Sequence, residues 1–235
     1  NPSAYIDTNV KGTLNVLNAS RDQNISDIII TSTSEVYGKA QYEKIDEKHP
    51  IEALSPYAAS KISQDQLSLS FYKSFQSPVK IIRPFNVFGP RQSSRAVIPT
   101  IISQFLNKNK EIVVGNLHPK RDFTFVKDTC EAFVELLDSK NLYGEVVNVG
   151  SNQSITIEEL ISKVQLILGS NLKTTVKNNR VRVSTSEVDH LHCNNEKILK
   201  DTNWKPKVNL TNGLTETIEW IKKNINLYKT DIYNV

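Results

Sequence analysis

The chain has 235 residues, of which 38% are hydrophobic and 23% charged, so its composition fits a globular protein rather than a disordered or membrane-spanning one. Its 29 basic and 25 acidic residues give a net charge of +4 and are scattered, without the Lys/Arg tracts of nucleic-acid or membrane-surface binding. Cys130 and Cys193 lie far apart without metal-ligand spacing, so we expect neither a disulfide framework nor a metal site.

The first part of the chain alternates between helical and strand patterns. Apolar residues recur at helical spacing from Ala4 to Ala19, and the segment from Asp27 to Ser32 has the pattern of a buried parallel strand. Ser55 as N-cap and a proline in the first turn predict a helix that continues to about Phe75. Val79 to Arg83 is the next predicted strand.

The remainder is a more mixed series of elements. In chain order, we predict a helix at Val97 to Leu106, strands at Ile112 to Val114 and Phe123 to Val126, a helix at Asp128 to Leu137, a strand at Val146 to Val149, and helices at Thr156 to Leu168, Asn195 to Lys200 and Thr211 to Asn224. Strands that alternate with helices favour the α/β class, with a doubly wound, Rossmann-like parallel sheet and a smaller mixed C-terminal domain. We place the domain boundary at residue 90, with 121–155 returning to the first sheet.

The glycine-rich turn of a dinucleotide-binding fold is not found in this sequence. Such a fold opens with a strand, that turn and a helix, because only glycines let the backbone approach the pyrophosphate. The eight glycines form neither GxGxxG nor GxxGxxG, and the chain opens on a helix. We therefore expect the first βα units to be missing, and the chain alone to bind NAD weakly and to be inactive. Asn1 to Asp7 lack the features of a secretory signal, so the cytoplasm is the expected location.

Two motifs carry candidate chemistry. Hydroxyls and a carboxylate follow the first predicted strand, in Thr31 to Gly38, where the carboxyl ends of parallel strands meet a cleft. Tyr57 and Lys61 are four residues apart on a predicted helix and so share a face. Each motif is short and also fits a polar turn or a chance spacing, so the order of motifs along the chain decides their interpretation.

That order is specific to one family. The motifs are Tyr5-Ile-Asp-Thr-Asn-Val-Lys-Gly-Thr-Leu-Asn-Val-Leu17, Ser32-Thr-Ser-Glu-Val-Tyr-Gly38, Ser55-Pro-Tyr-Ala-Ala-Ser-Lys61, Arg83-Pro-Phe-Asn-Val-Phe-Gly-Pro90, Arg121-Asp-Phe-Thr-Phe-Val-Lys-Asp128 and Asn148-Val-Gly150. They cover nearly the whole chain and resemble the successive signatures of extended short-chain dehydrogenases/reductases that act on nucleotide sugars, the NAD-dependent epimerase/dehydratase family.

The resemblance implies roles for individual residues. It makes 1–90 the remainder of an NAD-binding Rossmann domain that carries the catalytic residues, and 91–235 mainly a nucleotide-sugar-binding domain. The implied catalytic residues are Thr33, Ser34, Glu35, Tyr57 and Lys61. The implied NAD-binding residues are Asn9, Ser32, Tyr57, Lys61 and Pro84. The implied residues for the nucleotide and diphosphate of the substrate are Asn86, Arg95, Arg121, Asn148 and Arg182, because arginine donors match phosphate oxygens.

Glu35 separates the reaction types within this family. A 4-epimerase only removes and returns a hydride, whereas a 4,6-dehydratase also needs a base for the C5 proton and an acid for the C6 hydroxyl. The dTDP-glucose dehydratases have Asp-Glu where this chain has Ser34-Glu35, which makes that branch unlikely and leaves the acid unidentified. The Ser-Glu pair resembles GDP-mannose dehydratases, bacterial N-acetylglucosamine dehydratases and UDP-glucuronate decarboxylases.

The loop after Pro90 favours one substrate among these. Gln92 to Pro99, Arg180-Val-Arg182 and Ser186-Glu-Val188 resemble N-acetylglucosamine nucleotide 4,6-dehydratases of the legionaminic acid type pathway, in polysaccharide biosynthesis. We therefore expect UDP- or GDP-N-acetylglucosamine as substrate. UDP-glucuronate decarboxylase, 4-epimerase and an inactive nucleotide-sugar-binding remnant stay as alternatives. The family also implies a homodimer that pairs the helices of Val10 to Val16 and Tyr57 to Tyr72 and buries Leu67 and Phe71.

Overall fold

The computed structural model of the chain describes residues 1–107, 109–177 and 188–228. In these ranges, helices α1 to α8 are Pro2–Tyr5, Gly12–Asp22, Pro56–Phe75, Val97–Leu106, Val126–Asp138, Ile157–Leu168, Glu196–Asp201 and Leu210–Lys223. Strands β1 to β9 are Ile28–Thr31, Val79–Pro84, Asn86–Phe88, Glu111–Val114, Lys120–Phe125, Val146–Val149, Ser154–Thr156, Lys173–Val176 and His190–Leu191. No helix within the described ranges has the length and hydrophobicity of a membrane span.

The first sheet is parallel and has helices on both faces. Its strand order is β1-β2-β6, with Ile28 opposite Val79 and Ile81 opposite Val146. Successive residues of a strand point to opposite faces, so Ile81 packs with α2 and α3 while Ile82 packs with α5. This arrangement confirms the predicted α/β, Rossmann-like fold.

The second half of the chain builds smaller sheets around a separate apolar core. Strand β5 pairs in parallel with β3 and β9 and antiparallel with β7, and β4 pairs with β8. Helices α4, α6 and α8 pack their buried apolar side chains, among them Ile101, Leu160 and Leu214, into one cluster with Phe125. Strand β6 belongs to the β1-β2-β6 sheet, whereas β5 belongs to the sheet that it forms with β3, β7 and β9. The division into two domains at residue 90 stays a prediction.

Several side chains near the ends of helices make the local contacts that stabilise these elements. The Ser55 hydroxyl accepts a hydrogen bond from the Ala58 N–H at 3.0 Å and caps α3. Thr156 and Glu159 form a capping box at the start of α6, the helix predicted from Thr156. The Trp204 indole is buried and donates to the Asp128 carbonyl at 2.7 Å, which anchors the C-terminal segment to α5.

Other features differ from the prediction. Strands β3, β7, β8 and β9 are not among the predicted strands. They have only two to four residues, which is too short for a clear alternation of apolar and polar residues. Between α1 and α2, residues Ile6–Lys11 form a π-helical segment, so the predicted first helix contains a local widening. Phe71 is only 5% exposed and packs in the core with Leu17 and Ile81, and Leu67 packs against the same cluster. The expectation that Phe71 forms part of a dimer surface was therefore wrong, whereas for Leu67, which is only partly buried, it stays a prediction.

Candidate active site

The candidate catalytic residues after β1 lie on a short 3-10 turn, Ser34–Tyr37. Thr33 is extended and caps this turn, because its hydroxyl accepts a hydrogen bond from the Glu35 N–H at 3.2 Å. The turn buries the Ser34 side chain and leaves Glu35 exposed. Of the two residues Ser34 and Glu35, only the glutamate therefore has a side chain available to a ligand.

Tyr57 and Lys61 project from the first two turns of α3 toward the end of β1. The Thr33 hydroxyl hydrogen-bonds the half-buried Tyr57 phenol. The Lys61 ammonium donates to the Thr31 carbonyl at 2.5 Å and to the Gln64 side-chain oxygen at 2.6 Å. These contacts bring Thr33, Tyr57 and Lys61 together, as the motif order implies.

The electrostatics of this group favour a neutral phenol. Burial raises the pKa of Tyr57, the Glu35 carboxylate raises it further, and the Thr33 hydroxyl opposes the shift. Burial also lowers the pKa of Lys61, while the nearby Asp65 carboxylate opposes that change. Ionisation of Tyr57 near neutral pH therefore requires an additional positive charge beside the phenol.

The π-helical segment supports Tyr57 from the opposite side. The Asn9 amide donates to the Ser60 hydroxyl at 2.9 Å, and Ser60 in turn donates to the Tyr57 carbonyl at 2.7 Å. Tyr5 packs edge-on against the Tyr57 ring, with ring centroids 5.5 Å apart. Tyr5 had no predicted role, although its position four residues before Asn9 places both on one helix face.

A buried polar network lies beneath the site. The Ser32 hydroxyl donates to Asp65 at 2.8 Å, and Arg83 donates to the same carboxylate oxygen from Nε and Nη2 at 3.0 and 2.9 Å. The Arg83 guanidinium lies over the Tyr37 ring, 4.9 Å from its centroid, and the Tyr37 hydroxyl donates to the Asn148 side chain at 2.7 Å. This network fixes the end of β1 against β2, β6 and α3.

A cavity of about 720 Å³ opens beside the catalytic group. Glu35 and Tyr57 line it together with three predicted substrate residues, Asn86, Arg95 and Arg121. Much of the remaining wall is apolar, with residues such as Val87, Ile98, Val114, Phe123 and Leu191. An apolar wall with a few polar groups and this volume are typical of a small-molecule site.

The other predicted residues lie elsewhere. Asn148 is fully buried, and its side-chain nitrogen donates to the Ile45 carbonyl at 3.1 Å, so it does not line the cavity. Ser32 and Pro84 lie at or just beyond the ends of β1 and β2 and do not line it either. Arg182 lies outside the described residues.

Comparison with known proteins identifies the family. The sequence profile described as GDP-mannose 4,6 dehydratase matches residues 1–217. The chain belongs to this family. The match confirms the resemblance to NAD-dependent epimerases and dehydratases that the motif order implied.

Individual relatives include both reaction types. The chain is 33% identical to a dTDP-D-glucose 4,6-dehydratase of Mus musculus over 224 residues, which are 94% of this chain and 62% of the mouse protein. Among solved structures, the dTDP-glucose 4,6-dehydratase of Bacillus anthracis in complex with NAD has a TM-score of 0.85 and 30% identity, with 97% of this chain and 72% of that chain covered. The UDP-N-acetylglucosamine 4-epimerase of Methanobrevibacter ruminantium, in complex with UDP-N-acetylmuramic acid, has a TM-score of 0.86 and 30% identity, with 95% and 72% covered.

Proposed function

We propose that this protein is an NAD-dependent nucleotide-sugar 4,6-dehydratase. The observation that carries the proposal is that Glu35 and Tyr57, a carboxylate and a phenol, line the same cavity. An epimerase needs the phenol alone, whereas a dehydratase needs a second proton-transfer group beside it. Glu35 is exposed to the cavity and can take that role.

The described residues fit the nicotinamide end of NAD, which solved relatives of the family contain. Lys61 has three N–H groups, of which Thr31 and Gln64 accept two, so one is available to a ribose hydroxyl. The cofactor's chemistry, when it is bound, is to accept a hydride from the sugar and to return it. Its positive ring also supplies the charge that the Tyr57 phenol requires.

Tyr57 and Thr33 together carry out the proton transfer at C4. The Thr33 hydroxyl holds the sugar C4 hydroxyl beside the phenol, and ionised Tyr57 accepts its proton as C4 is oxidised. Tyr5 packs against the Tyr57 ring, and the hydrogen bonds of Asn9 and Ser60 hold the Tyr57 backbone carbonyl. The product of this step is a C4 ketone.

Glu35 performs the elimination. The C4 ketone acidifies the C5 proton, which the Glu35 carboxylate accepts. Protonated Glu35 then donates to the leaving C6 hydroxyl, so that water departs and a double bond forms between C5 and C6. Return of the hydride to C6, together with uptake of a solvent proton at C5, would complete a 4-keto-6-deoxy sugar. Because Ser34 is buried, we assign both proton transfers to Glu35 rather than to Ser34.

For the substrate, we propose a UDP- or GDP-linked N-acetylglucosamine. Arg95 and Arg121 line the cavity and suit the diphosphate, because a guanidinium donates several hydrogen bonds to phosphate oxygens. The sugar assignment rests on the loop from Gln92 to Pro99. The similarity to the mouse dTDP-D-glucose dehydratase favours a different sugar nucleotide, so dTDP-glucose belongs in any substrate panel.

A 4-epimerase is the second candidate, supported by the similarity to the Methanobrevibacter ruminantium epimerase. The two reactions are distinguished by product mass. A form of the protein that includes a glycine-rich NAD-binding turn is incubated with NAD and, separately, with UDP-N-acetylglucosamine, GDP-N-acetylglucosamine, dTDP-glucose, GDP-mannose and UDP-glucuronate. It should convert its substrate into a product lighter by one water. A product of unchanged mass would support the epimerase, and loss of carbon dioxide would support a decarboxylase.

We further propose that the protein forms a homodimer through the outer faces of α2 and α3. Leu14, Val16 and Phe75 are apolar and between 37% and 54% exposed, which supports an interface there. Light scattering at micromolar concentration should give the mass of a dimer, and Val16→Glu should shift it toward the monomer. Leu166→Glu, at an 84% exposed position on α6, is the matched control. A monomeric unsubstituted protein contradicts the proposal.

A further inference from the structure

Gln64 makes a closed set of hydrogen bonds with the catalytic lysine and the end of β1. Its side-chain oxygen accepts from the Lys61 ammonium at 2.6 Å, and its nitrogen donates to the Thr31 carbonyl at 3.3 Å. The same carbonyl accepts from Lys61 at 2.5 Å. Gln64 is three residues after Lys61 on α3, so both side chains leave one face of the helix. Both are buried, with Gln64 6% exposed.

A competing partner for Lys61 lies on the same helix. Asp65 is four residues after Lys61, and its carboxylate attracts the ammonium. Arg83 and Ser32 both use the Asp65 Oδ2 atom. The Asp65 Oδ1 atom is buried and has no hydrogen-bond partner among the described residues. A buried carboxylate oxygen without a hydrogen-bond donor costs free energy, so movement of the nearby, flexible Lys61 ammonium to this oxygen would be favourable.

Lys61 has four rotatable side-chain bonds and therefore depends on its surroundings to choose between these acceptors. Gln64 and Thr31 hold two of its three N–H groups in fixed directions, which also fixes the direction of the third. An ammonium displaced to Asp65 would lose that geometry.

We propose that Gln64 is a positioning residue that keeps Lys61 directed into the active site and prevents it from pairing with Asp65. The role in catalysis rests on the proposed dehydratase function, whereas the position of the ammonium does not. Gln64 contacts neither of the proton-transfer groups Tyr57 and Glu35 in the described hydrogen bonds, so it acts through Lys61.

The test is an NMR titration of the chain without cofactor. Lysine labelled with ¹³C at Cε and tyrosine labelled at Cζ report Lys61 and Tyr57, whose signals are assigned from Lys61→Met and Tyr57→Phe. The test variants are Gln64→Met, which keeps the side-chain length but removes both polar atoms, and Gln64→Ala. Gln66→Ala, at an exposed position on the same helix, is the control. The charged group that acts on the ammonium is Asp65 on α3, which is itself paired with Arg83 on β2, and Glu35 after β1 acts on Tyr57.

We expect Gln64→Met to raise the pKa of Lys61, because the ammonium gains a carboxylate partner, and to leave the pKa of Tyr57 unchanged, because burial, Glu35 and Thr33 determine it. Gln66→Ala should change neither. A Lys61 pKa that stays constant or falls in the folded Gln64→Met and Gln64→Ala variants overturns the proposal. Because the titration needs no turnover, a protein that lacks dehydratase activity would leave this result intact.

Discussion

The ion pair between Asp65 and Arg83 should be essential for stability, and Asp65→Asn tests this. The substitution keeps the side-chain volume and one acceptor oxygen, so no cavity forms and the main loss is the negative charge. The Arg83 side chain is 4% exposed and that of Asp65 is 0% exposed, so the guanidinium would stay buried without a counter-ion. Removal of one partner of a buried pair typically costs about 3 to 5 kcal/mol.

Because asparagine has nearly the same volume as aspartate, no cavity adds to the loss, and the cost should lie at the lower end of that range. We therefore expect the free energy of unfolding to fall by about 3 kcal/mol. Urea unfolding at neutral pH, followed by circular dichroism, measures it as a lower midpoint at unchanged slope. The matched control is Glu216→Gln, whose partner Lys127 is 63% exposed, and an exposed pair contributes at most about 1 kcal/mol. A loss in Asp65→Asn no larger than in the control would refute the argument that burial makes this pair important.

Two further substitutions have outcomes that follow from single contacts. Thr33→Val should raise the pKa of Tyr57, because it removes a hydrogen bond to the ionised phenol, and Glu35→Gln should lower it, because it removes a negative charge. ¹³C NMR of labelled tyrosine measures both pKa values. Shifts of the same sign in the two variants would contradict the contacts assigned to Thr33 and Glu35. Thr156→Ala removes the side chain that accepts from the Glu159 N–H and should lower the free energy of unfolding by about 1 kcal/mol in urea, while an unchanged midpoint would show that the capping box is unimportant.

The sequence was sufficient to predict the elements that have strong local signals. The starts of the helices at Ser55 and Thr156 depend on capping side chains within a few residues, and both helices are present as predicted. The buried strands β1, β2 and β6 have continuous apolar runs, which is typical of a parallel sheet covered on both faces. The described contacts place Tyr57 at Thr33 and Lys61 at Thr31, both at the end of β1, while the catalytic roles implied by the motif order stay predictions.

The sequence did not predict features that depend on contacts between distant segments. Asn148 follows a recognisable motif, but its burial depends on Tyr37 and Ile45, which lie over one hundred residues earlier. The role of Phe71 in the core depends on how α2 and α3 pack against the sheet. Gln64 is one of several polar residues on α3, and only the position of the Thr31 carbonyl separates it from exposed Gln66.

The distinct roles of Tyr57 and Glu35 are the central claim, and one measurement on NAD-bound protein tests it directly. NADH absorbance and solvent deuterium at C5 are followed after mixing with substrate. Tyr57→Phe should abolish both signals, because no proton leaves the C4 hydroxyl. Glu35→Gln should still reduce NAD but lose dehydrated product by about 10² to 10⁴-fold, the usual contribution of a general base. Glu219→Gln, at an exposed position on α8, is the control for loss of a carboxylate. Dehydration by Glu35→Gln at the unsubstituted rate would contradict the dehydratase assignment and favour the epimerase.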